Sequence, residues 1–350
     1  MKKILVIDDS TLMRRVLSDI IDGTKEYYVA YTAKNGVEGL ECIENNPDIA
    51  AILCDVNMPR MSGLELLQVL RKKNIDIPIV LISSNNDAKN TISALQMGAI
   101  DFIKKPHRIL TDAKGEFEKR VIDTLKLCSE YKNDSGKNTE VSKQKKASST
   151  KKDVSDKKAS KLIAIVCSTG GPRALQSVLP RIPANIDAPI LLVQHMPAGF
   201  TNTLAERLNE LSDITVKEAE NGEILKKGVC YLAKGGTHLG VKANQKDTSI
   251  CFIDEPAIMG LKPCGNIMYE SLCDSSYDEI ICVVLTGMGE DGTKGIIKLS
   301  KCKDIFVIAQ DAESSTVYGM PRAVYERGLT DCVCNIDKIA DEITKKVGVK

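Results

Sequence analysis

The stretch LIAIVCSTGGPRAL, residues 162–175, decides the fold of the second half of the chain. Its apolar run ends at Ser168, and Thr169 and two glycines then lead to Pro172, a residue favoured in the first turn of a helix. This pattern predicts a buried strand, a tight turn and a helix N-terminus, a geometry that raises one small polar side chain above the edge of a sheet. Ser168 is therefore a candidate nucleophile.

Two further polar residues lie where apolar runs break. His195 follows APILLVQ, and Asp291 follows ICVVLTGMGE. Together with Ser168 they indicate a nucleophile, a base and an orienting acid. Each residue also has a plainer interpretation. Ser168 would lie in a glycine-rich turn that binds an anion, His195 would be a structural histidine at a strand end, and Asp291 would cap a helix or form a turn. Their coincidence at one edge of one sheet favours catalysis, although Ser168 does not lie in GxSxG.

The composition is that of an ordinary soluble protein with two domains. Of 350 residues, 43% are apolar and 27% are charged, and the net charge of +1 gives no case for nucleic-acid or membrane partners. Asp8 and Asp9 interrupt the first apolar stretch too early for a signal peptide, and no run reaches membrane-spanning length. We therefore expect a cytoplasmic protein without direct membrane insertion. The twelve cysteines include no CxxC pair, which disfavours zinc and a disulfide framework.

Residues 1–132 alternate short apolar strands with amphipathic helices. The strand candidates are, in chain order, KILVID, YYVAYTA, IAAILCDV, IPIVLISS and DFIKKP. Five strands separated by helices predict a (βα)5 domain, in which a parallel sheet is covered on both faces and carries its site at the carboxyl ends of the strands.

Polar residues gather at those strand ends. Asp8, Asp9 and Asp55 would place three carboxylates in one crevice, where they repel one another unless a cation binds, and such hard oxygen ligands suit Mg²⁺. Lys105 would then supply a fixed positive charge to a transferred phosphoryl group, and Ser83 would donate a hydrogen bond to it.

These residues resemble the receiver domain of two-component response regulators. The resemblance rests on IDDS, DVNMPRMSG, the strand-end Ser83 and DFIKKP. It implies that Asp55 accepts phosphate from a histidine kinase, that Asp8 and Asp9 help to hold Mg²⁺, and that Phe102 is the aromatic switch residue. The alternatives are a Rossmann-like domain with incidental acidic loops and, for Phe102 alone, plain core packing.

Residues 133–160 separate the two halves of the chain. They read NDSGKNTEVSKQKKASSTKKDVSDKKAS, with almost no apolar content. Such a segment cannot bury enough surface to offset its ordering entropy, so we predict a flexible tether. A root-mean-square span of about 30 Å would keep two domains at high effective concentration while letting them dock and separate.

Residues 161–350 form the second predicted domain. LIAIVCS, APILLVQHMP, EIICVVLTGMG and DIFVIAQD are strand candidates separated by helical patterns, which predicts a doubly wound, mostly parallel α/β sheet. VCYLAKGGTHLGV and SICFIDEPA look like a β-hairpin inserted into that sheet. Neither GKS/T nor GxGxxG follows at the Ser168 turn, so a nucleotide site there lacks its usual motifs.

Five segments of this domain resemble the catalytic domain of the CheB family, the chemotaxis protein-glutamate methylesterases. They are STGGPRAL, QHMPAGFT, YLAKGGTH, LTGMGEDGTKG and AQDAESSTVYGMPRAV. The resemblance implies hydrolysis of glutamate γ-methyl esters on chemoreceptors with release of methanol, and glutamine deamidation in many members. It makes Ser168 the nucleophile, His195 the general base and Asp291 its orienting residue. The Met288 N–H would contribute to the oxyanion hole, Thr169 would support the loop, and the esterase would need no cofactor.

One segment departs from the family pattern. Where the family usually has Pro-Ser-Val-Asp, this chain has Cys264, Gly265 and Asn266 after the proline. The candidate triad is untouched, so hydrolysis should survive. Gly265 would loosen a helix start and Asn266 would remove a charge near the cleft, so altered receptor preference or weaker deamidation is a hypothesis.

Two other functions compete with the esterase. A DNA-binding response regulator would need a helix-turn-helix or winged output domain with a basic surface, which this sheet-rich, nearly neutral half does not suggest. A phosphorylation-gated adaptor would keep the fold without catalysis, against which the intact Ser168, His195 and Asp291 argue. In the esterase, we expect the unphosphorylated receiver to pack over the Ser168 edge until Asp55 is phosphorylated.

Overall fold

The computed structural model describes residues 1–84, 87–106, 113–131, 159–244 and 247–348. Its N-terminal half contains a parallel sheet in the order β2-β1-β3-β4-β5. The strands are β1 (Lys2–Ile7), β2 (Tyr27–Ala33), β3 (Ile49–Asp55), β4 (Ile79–Ser83) and β5 (Asp101–Lys104). The helices are α1 (Thr11–Asp22), α2 (Gly36–Asn45), α3 (Gly63–Lys72), α4 (Ala88–Gln96) and α5 (Glu118–Tyr131). The predicted (βα)5 arrangement is confirmed.

The central strand β1 illustrates why this sequence forms such a sheet. Ile4 and Val6 pack into one apolar cluster, whereas Leu5 and Ile7 pack into another on the opposite face. A continuous apolar run is therefore buried on both sides, as a parallel sheet covered by helices requires. The chain then turns at once into α1, because the Ser10 side chain accepts a hydrogen bond from a backbone N–H of the first turn.

The C-terminal half contains a seven-stranded parallel sheet in the order β14-β13-β12-β6-β7-β9-β8. Its strands are β6 (Lys161–Cys167), β7 (Ile190–Gln194), β8 (Thr215–Glu218), β9 (Val229–Leu232), β12 (Glu279–Val284), β13 (Asp304–Gln310) and β14 (Cys332–Cys334). Its helices are α6 (Gly171–Val178), α7 (Thr201–Leu211), α8 (Gly265–Ser271), α9 (Thr293–Leu299), α10 (Met320–Glu326) and α11 (Ile336–Val347). The doubly wound, mostly parallel architecture is confirmed.

The inserted hairpin is shorter than the sequence suggested. Strands β10 (His238–Ala243) and β11 (Thr248–Ile253) pair antiparallel in a sheet of their own. The preceding VCYL segment instead forms β9, which lies parallel to β7 in the main sheet. Tyr231 packs into one apolar cluster and its neighbours Cys230 and Leu232 into the other, so this run suits a central strand rather than a hairpin arm.

The two halves contact each other through helices. Helix α4 packs against α6 and α7, and one apolar cluster contains side chains from both halves. The predicted tether, residues 133–160, lies outside the described residues except for its last two positions. Of these, Ser160 is hydrogen-bonded to Asp278 through its backbone N–H and its hydroxyl, both at 2.8 Å. The domain limits at 132 and 161 stay predictions.

Two chemical features of the chain complete this description. The cysteines are all free thiols, seven of them buried. No helix in the part of the chain that the structure describes is both long enough and apolar enough to cross a membrane.

Candidate active site

Three adjacent strands bring candidate catalytic side chains to one edge of the large sheet. Strand β6 is followed directly by Ser168, and its neighbour β7 is followed directly by His195. Strand β12 runs on the other side of β6, and the loop after it leads to Asp291. Because the carboxyl ends of parallel strands meet at one edge, residues far apart in sequence converge here.

Asp291 holds the imidazole of His195. The His195 Nε2 atom lies 2.7 Å from Asp291 Oδ2, and both side chains are about 95% buried. Backbone N–H groups of Gly265 (2.6 Å) and Asn266 (3.0 Å) and the Cys264 thiol (3.1 Å) also donate to this carboxylate. Burial would raise the pKa of Asp291, but the hydrogen bond and charge of His195 hold that pKa well below its usual range. The carboxylate can thus stabilise an imidazolium.

Ser168 lies on a turn fixed by backbone hydrogen bonds. Its N–H donates to the Thr286 carbonyl (3.0 Å), its carbonyl accepts from the Gly171 N–H (2.8 Å), and the residue is 9% exposed. Across the described residues, the Ser168 hydroxyl forms no hydrogen bond with His195. Because Asp291 occupies Nε2, Nδ1 is the ring nitrogen left to accept the serine proton; such contacts often tighten only when substrate binds.

The loop after β12 reaches the nucleophile. A β-carbon placed on Gly287 would lie 2.8 Å from Ser168 Cβ, so this backbone abuts the serine. The next residue, Met288, is 42% exposed, and its N–H donates to no acceptor within the described residues. Thr169 supports the same loop, because its carbonyl accepts a hydrogen bond from the Thr286 hydroxyl (3.0 Å). This backbone can therefore offer an N–H to an oxyanion.

Side chains of the N-terminal half cover the Ser168 turn. The Thr169 hydroxyl donates to Asp101 Oδ2 (2.7 Å), and Asp101 also pairs with Arg120 (2.9 Å). Phe102 stacks on Phe200 with ring centroids 4.5 Å apart. Phe102 is 5% exposed in an apolar cluster shared by both halves, so packing is a real part of what this residue does here.

A second site lies at the carboxyl ends of β1 and β3. Carboxylate oxygens of Asp8, Asp9 and Asp55 lie within 4.8 Å of one another, and Lys105 Nζ lies 2.8 Å from Asp55 Oδ2 and 3.2 Å from Asp8 Oδ2. Burial raises the pKa of Asp55 to about 6 despite Lys105, and burial also raises the pKa of Asp8. Three clustered carboxylates, of which Asp8 and Asp55 are buried, fit a hard divalent cation such as Mg²⁺.

Ser83 and Lys105 are neighbours at this second site. The Ser83 hydroxyl is fully buried and shares a hydrogen bond of 2.6 Å with the Thr91 hydroxyl on α4, and the Ser83 carbonyl accepts from the Lys105 N–H (2.7 Å). Thr91 was not singled out from the sequence. This bond joins β4, at the acidic site, to the helix that packs on the C-terminal half.

Sequence reasoning also missed two residues of the first site and the role of a third. Asp101 at the start of β5 resembles a surface charge, and Gln194 resembles the end of an apolar run. Cys264 was identified as a departure from the family pattern, but its thiol was given no role. The only signal was a polar residue adjoining a buried segment, and their partners lie far away in sequence.

Comparison with known families separates the same two halves. The family model described as CheB methylesterase matches residues 163–343, and the response regulator receiver domain model matches residues 4–111. These matches contain the Ser168 edge and the acidic site, respectively.

Known proteins resemble the chain over its whole length. A protein-glutamate methylesterase/protein-glutamine glutaminase of Geobacillus kaustophilus is 38% identical, covering 99% of each chain. A protein of the same name from Thermotoga maritima is 39% identical, covering 99% of this chain and 98% of the relative. The crystal structure of the Thermotoga maritima CheB methylesterase catalytic domain is 41% identical, with a TM-score of 0.51, and the match covers 53% of this chain and 97% of that one.

Proposed function

Because the chain belongs to the CheB methylesterase family and carries a response regulator receiver domain before its catalytic half, we propose that it is the phosphorylation-controlled methylesterase of chemotactic adaptation. Its substrates are glutamate γ-methyl esters on methyl-accepting chemoreceptors, and the product is methanol. Glutamine side chains of the receptors are the second substrate class that we propose, since the relatives are named protein-glutamine glutaminases. We place the reaction in the cytoplasm, with a chemotaxis histidine kinase as phosphodonor.

The observation that carries this proposal is the His195–Asp291 pair beside Ser168 on one sheet edge. The Ser168 hydroxyl oxygen attacks the ester carbonyl carbon while His195 Nδ1 takes the hydroxyl proton. The resulting oxyanion accepts a hydrogen bond from the Met288 N–H, and the Asp291 carboxylate stabilises the imidazolium.

The second half of the cycle returns the enzyme to its starting state. The tetrahedral intermediate breaks its C–O bond to the methoxy group, which leaves as methanol with the proton from His195. Water then attacks the acyl-enzyme, again giving its proton to His195. The Ser168–acyl bond breaks as His195 returns this proton to the Ser168 oxygen, and the glutamate side chain is released. With a glutamine substrate the same steps release ammonia.

Control belongs to the receiver half. Mg²⁺ bound by Asp8, Asp9 and Asp55 would supply charge neutralisation for phosphoryl transfer to Asp55. The phosphoryl group pairs with Lys105 and accepts a hydrogen bond from the Ser83 hydroxyl. Without the phosphoryl group, the Ser83 hydroxyl is hydrogen-bonded to Thr91 on α4. Since α4 packs on the C-terminal half, its displacement would loosen the cover over the Ser168 turn.

Methanol release from methylated receptor membranes tests the function. The wild type, Ser168→Ala and the control Ser177→Ala on α6 are compared with and without a small phosphodonor. We expect release that rises with the donor in the wild type and the control and is lost in Ser168→Ala. Absence of release from wild type shown to be phosphorylated on Asp55 would instead favour the non-catalytic adaptor.

A further inference from the structure

Gln194, the last residue of β7, lies between the turn of the nucleophile and the turn of the base. Its side chain is buried, with the residue 2% exposed. The Nε2 group donates to the carbonyl oxygens of Ser168 (3.0 Å) and His195 (3.2 Å), and Oε1 accepts from the Cys167 thiol (3.0 Å). One amide thus contacts the backbone of both candidate catalytic residues.

The orientation of this amide is fixed by its neighbours. Two carbonyl oxygens face the NH₂ group, and only a donor suits them. A flipped amide would turn its own oxygen toward both carbonyls and leave the His195 carbonyl without a donor among the described residues. The contact is therefore a specific donor function, which a side chain of the same shape without N–H groups would lack.

The second glycine of the STGG turn provides independent support. A β-carbon at Gly171 would lie only 1.9 Å from Gln194 Oε1 and 2.9 Å from its Cδ, so only glycine leaves room for the amide. The Gly171 N–H meanwhile donates to the Ser168 carbonyl (2.8 Å). The Ser168 carbonyl is thus held by two donors, one from its own turn and one from the neighbouring strand.

We infer that Gln194 is a positioning residue that couples the nucleophile turn to the base turn. It touches the backbone of Ser168 and His195 rather than the substrate, and it sets the distance over which the serine proton moves. The inference rests on the proposed serine-esterase function. Small displacements of reacting groups lower the rate of the chemical step strongly while leaving binding of the remote receptor surface intact.

Two variants of the full-length protein separate donation from packing. Gln194→Met keeps the volume without a donor and should lower kcat about tenfold with KM changed less than about twofold. Gln194→Glu has the same shape, but its ionised carboxylate would face two carbonyl oxygens. Burial and these carbonyls favour the protonated carboxyl, whose O–H can donate to one of them. Gln68→Glu, at an exposed position of α3, is the matched control.

The readout is kcat of each phosphorylated variant relative to wild type, from about pH 8.5 to about pH 5.5. Protonation of His195 lowers the kcat of the variant and the kcat of the wild type alike, so the ratio of the two removes this effect. We expect the Gln194→Glu ratio to rise severalfold as pH falls, whereas the Gln194→Met ratio stays low and flat. A flat Gln194→Glu ratio, or a Gln194→Met variant with wild-type kcat, would overturn the inference.

A second readout does not depend on the receptor. The rate at which a fluorophosphonate labels Ser168 should fall about tenfold in Gln194→Met without a matching change in melting temperature. Wild-type labelling without methanol release would contradict the proposed substrate, while the ratio of labelling rates still tests Gln194. Equal labelling of wild type and Gln194→Met would count against the coupling role.

Discussion

Asp291 accepts four hydrogen bonds, so its carboxylate has little freedom to rotate. Three of the donors belong to the segment that departs from the family pattern, Cys264, Gly265 and Asn266. The Asn266 side chain contacts a neighbouring helix, because its Oδ1 accepts a hydrogen bond from the Gly295 N–H on α9 (2.8 Å). The departing segment therefore contacts Asp291, the proposed orienting acid, and altered receptor preference or weaker deamidation stays a hypothesis.

The thiol at position 264 should contribute modestly to turnover. Cys264→Ala removes one donor to Asp291 but leaves the two backbone donors, so a cost of about 1 kcal/mol, or about fivefold in kcat, is expected. Cys264→Ser keeps a donor and should stay within about twofold of wild type. Steady-state methanol release measures both, with exposed Cys302→Ser as control. Full activity of the alanine variant would contradict a role for the thiol.

Adding even a methyl group at position 265 should disturb the site. A β-carbon there would lie 2.5 Å from Val166 Cγ2 and 3.1 Å from Asp291 Oδ2. We expect Gly265→Ala to cost about 1–3 kcal/mol of unfolding free energy and to lower kcat through Asp291. Denaturant unfolding and turnover are the measurements, with Gly328→Ala, where a β-carbon meets open space but strains the backbone, as a comparison. An unchanged stability would show that the helix start yields easily.

The sequence was sufficient to identify the candidate catalytic residues that follow strands. It was insufficient to identify the residues whose hydrogen bonds hold those candidates in place. Ser168 and His195 each directly follow an apolar run, and parallel strands bring such positions together. Gln194 and the role of the Cys264 thiol were missed because their importance comes from partners 26 or 27 residues away, across a strand or a loop. Asp101 was missed because its partner belongs to the other half of the chain.

At the scale of elements, α4 and β5 form the face with which the receiver half covers the catalytic half. Helix α4 packs on α6 and α7, and β5 contributes Asp101 and Phe102 to contacts with Thr169 and Phe200. The strands and helices themselves followed from periodicity, but their docking did not. Helix faces that meet across an interface look like any other amphipathic face in a sequence.

Breaking the Asp101–Thr169 contact should raise the unphosphorylated activity. This hydrogen bond to a buried carboxylate is worth about 1.5–3 kcal/mol, so Asp101→Ala should increase basal methanol release about tenfold or more. Phosphorylated activity should change little, because the cover is then already displaced. Asp123→Ala on the outer helix α5 is the matched control. A basal rate equal to wild type would show that this contact does not hold the cover in place.

At the scale of the whole molecule, the docking of the receiver half over the Ser168 turn predicts how the catalytic half behaves once it is separated from the receiver half. The fragment 161–350 lacks the receiver half and should hydrolyse receptor esters faster than the unphosphorylated full chain. A relative's catalytic domain forms crystals by itself, so we expect the fragment to fold. Methanol release at equal active-site concentration decides the matter, and equal rates would contradict autoinhibition.

The acidic site should link stability to pH and to Mg²⁺. A carboxyl whose folded pKa is raised from 3.8 to about 6 destabilises the fold as pH rises through that window, since the unfolded chain gives up its proton more readily. Mg²⁺ should therefore raise the melting temperature more above pH 6 than below it, and Asp55→Asn should stabilise the metal-free protein and blunt the Mg²⁺ response. A Mg²⁺ response unchanged in Asp55→Asn would place the cation elsewhere.

The contact between Asp101 and Thr169 also has a consequence in the reverse direction. Thermodynamic linkage is reciprocal: if a phosphoryl group on Asp55 favours the uncovered cleft, then an occupied cleft must favour the phosphoryl group by the same factor. A receptor helix seated at Ser168 would prevent Thr169 from returning to Asp101. Abundant methylated receptor would thereby bias the receiver toward its phosphorylated state. The amount of uncleaved substrate would thus increase the phosphorylation of the enzyme that cleaves it.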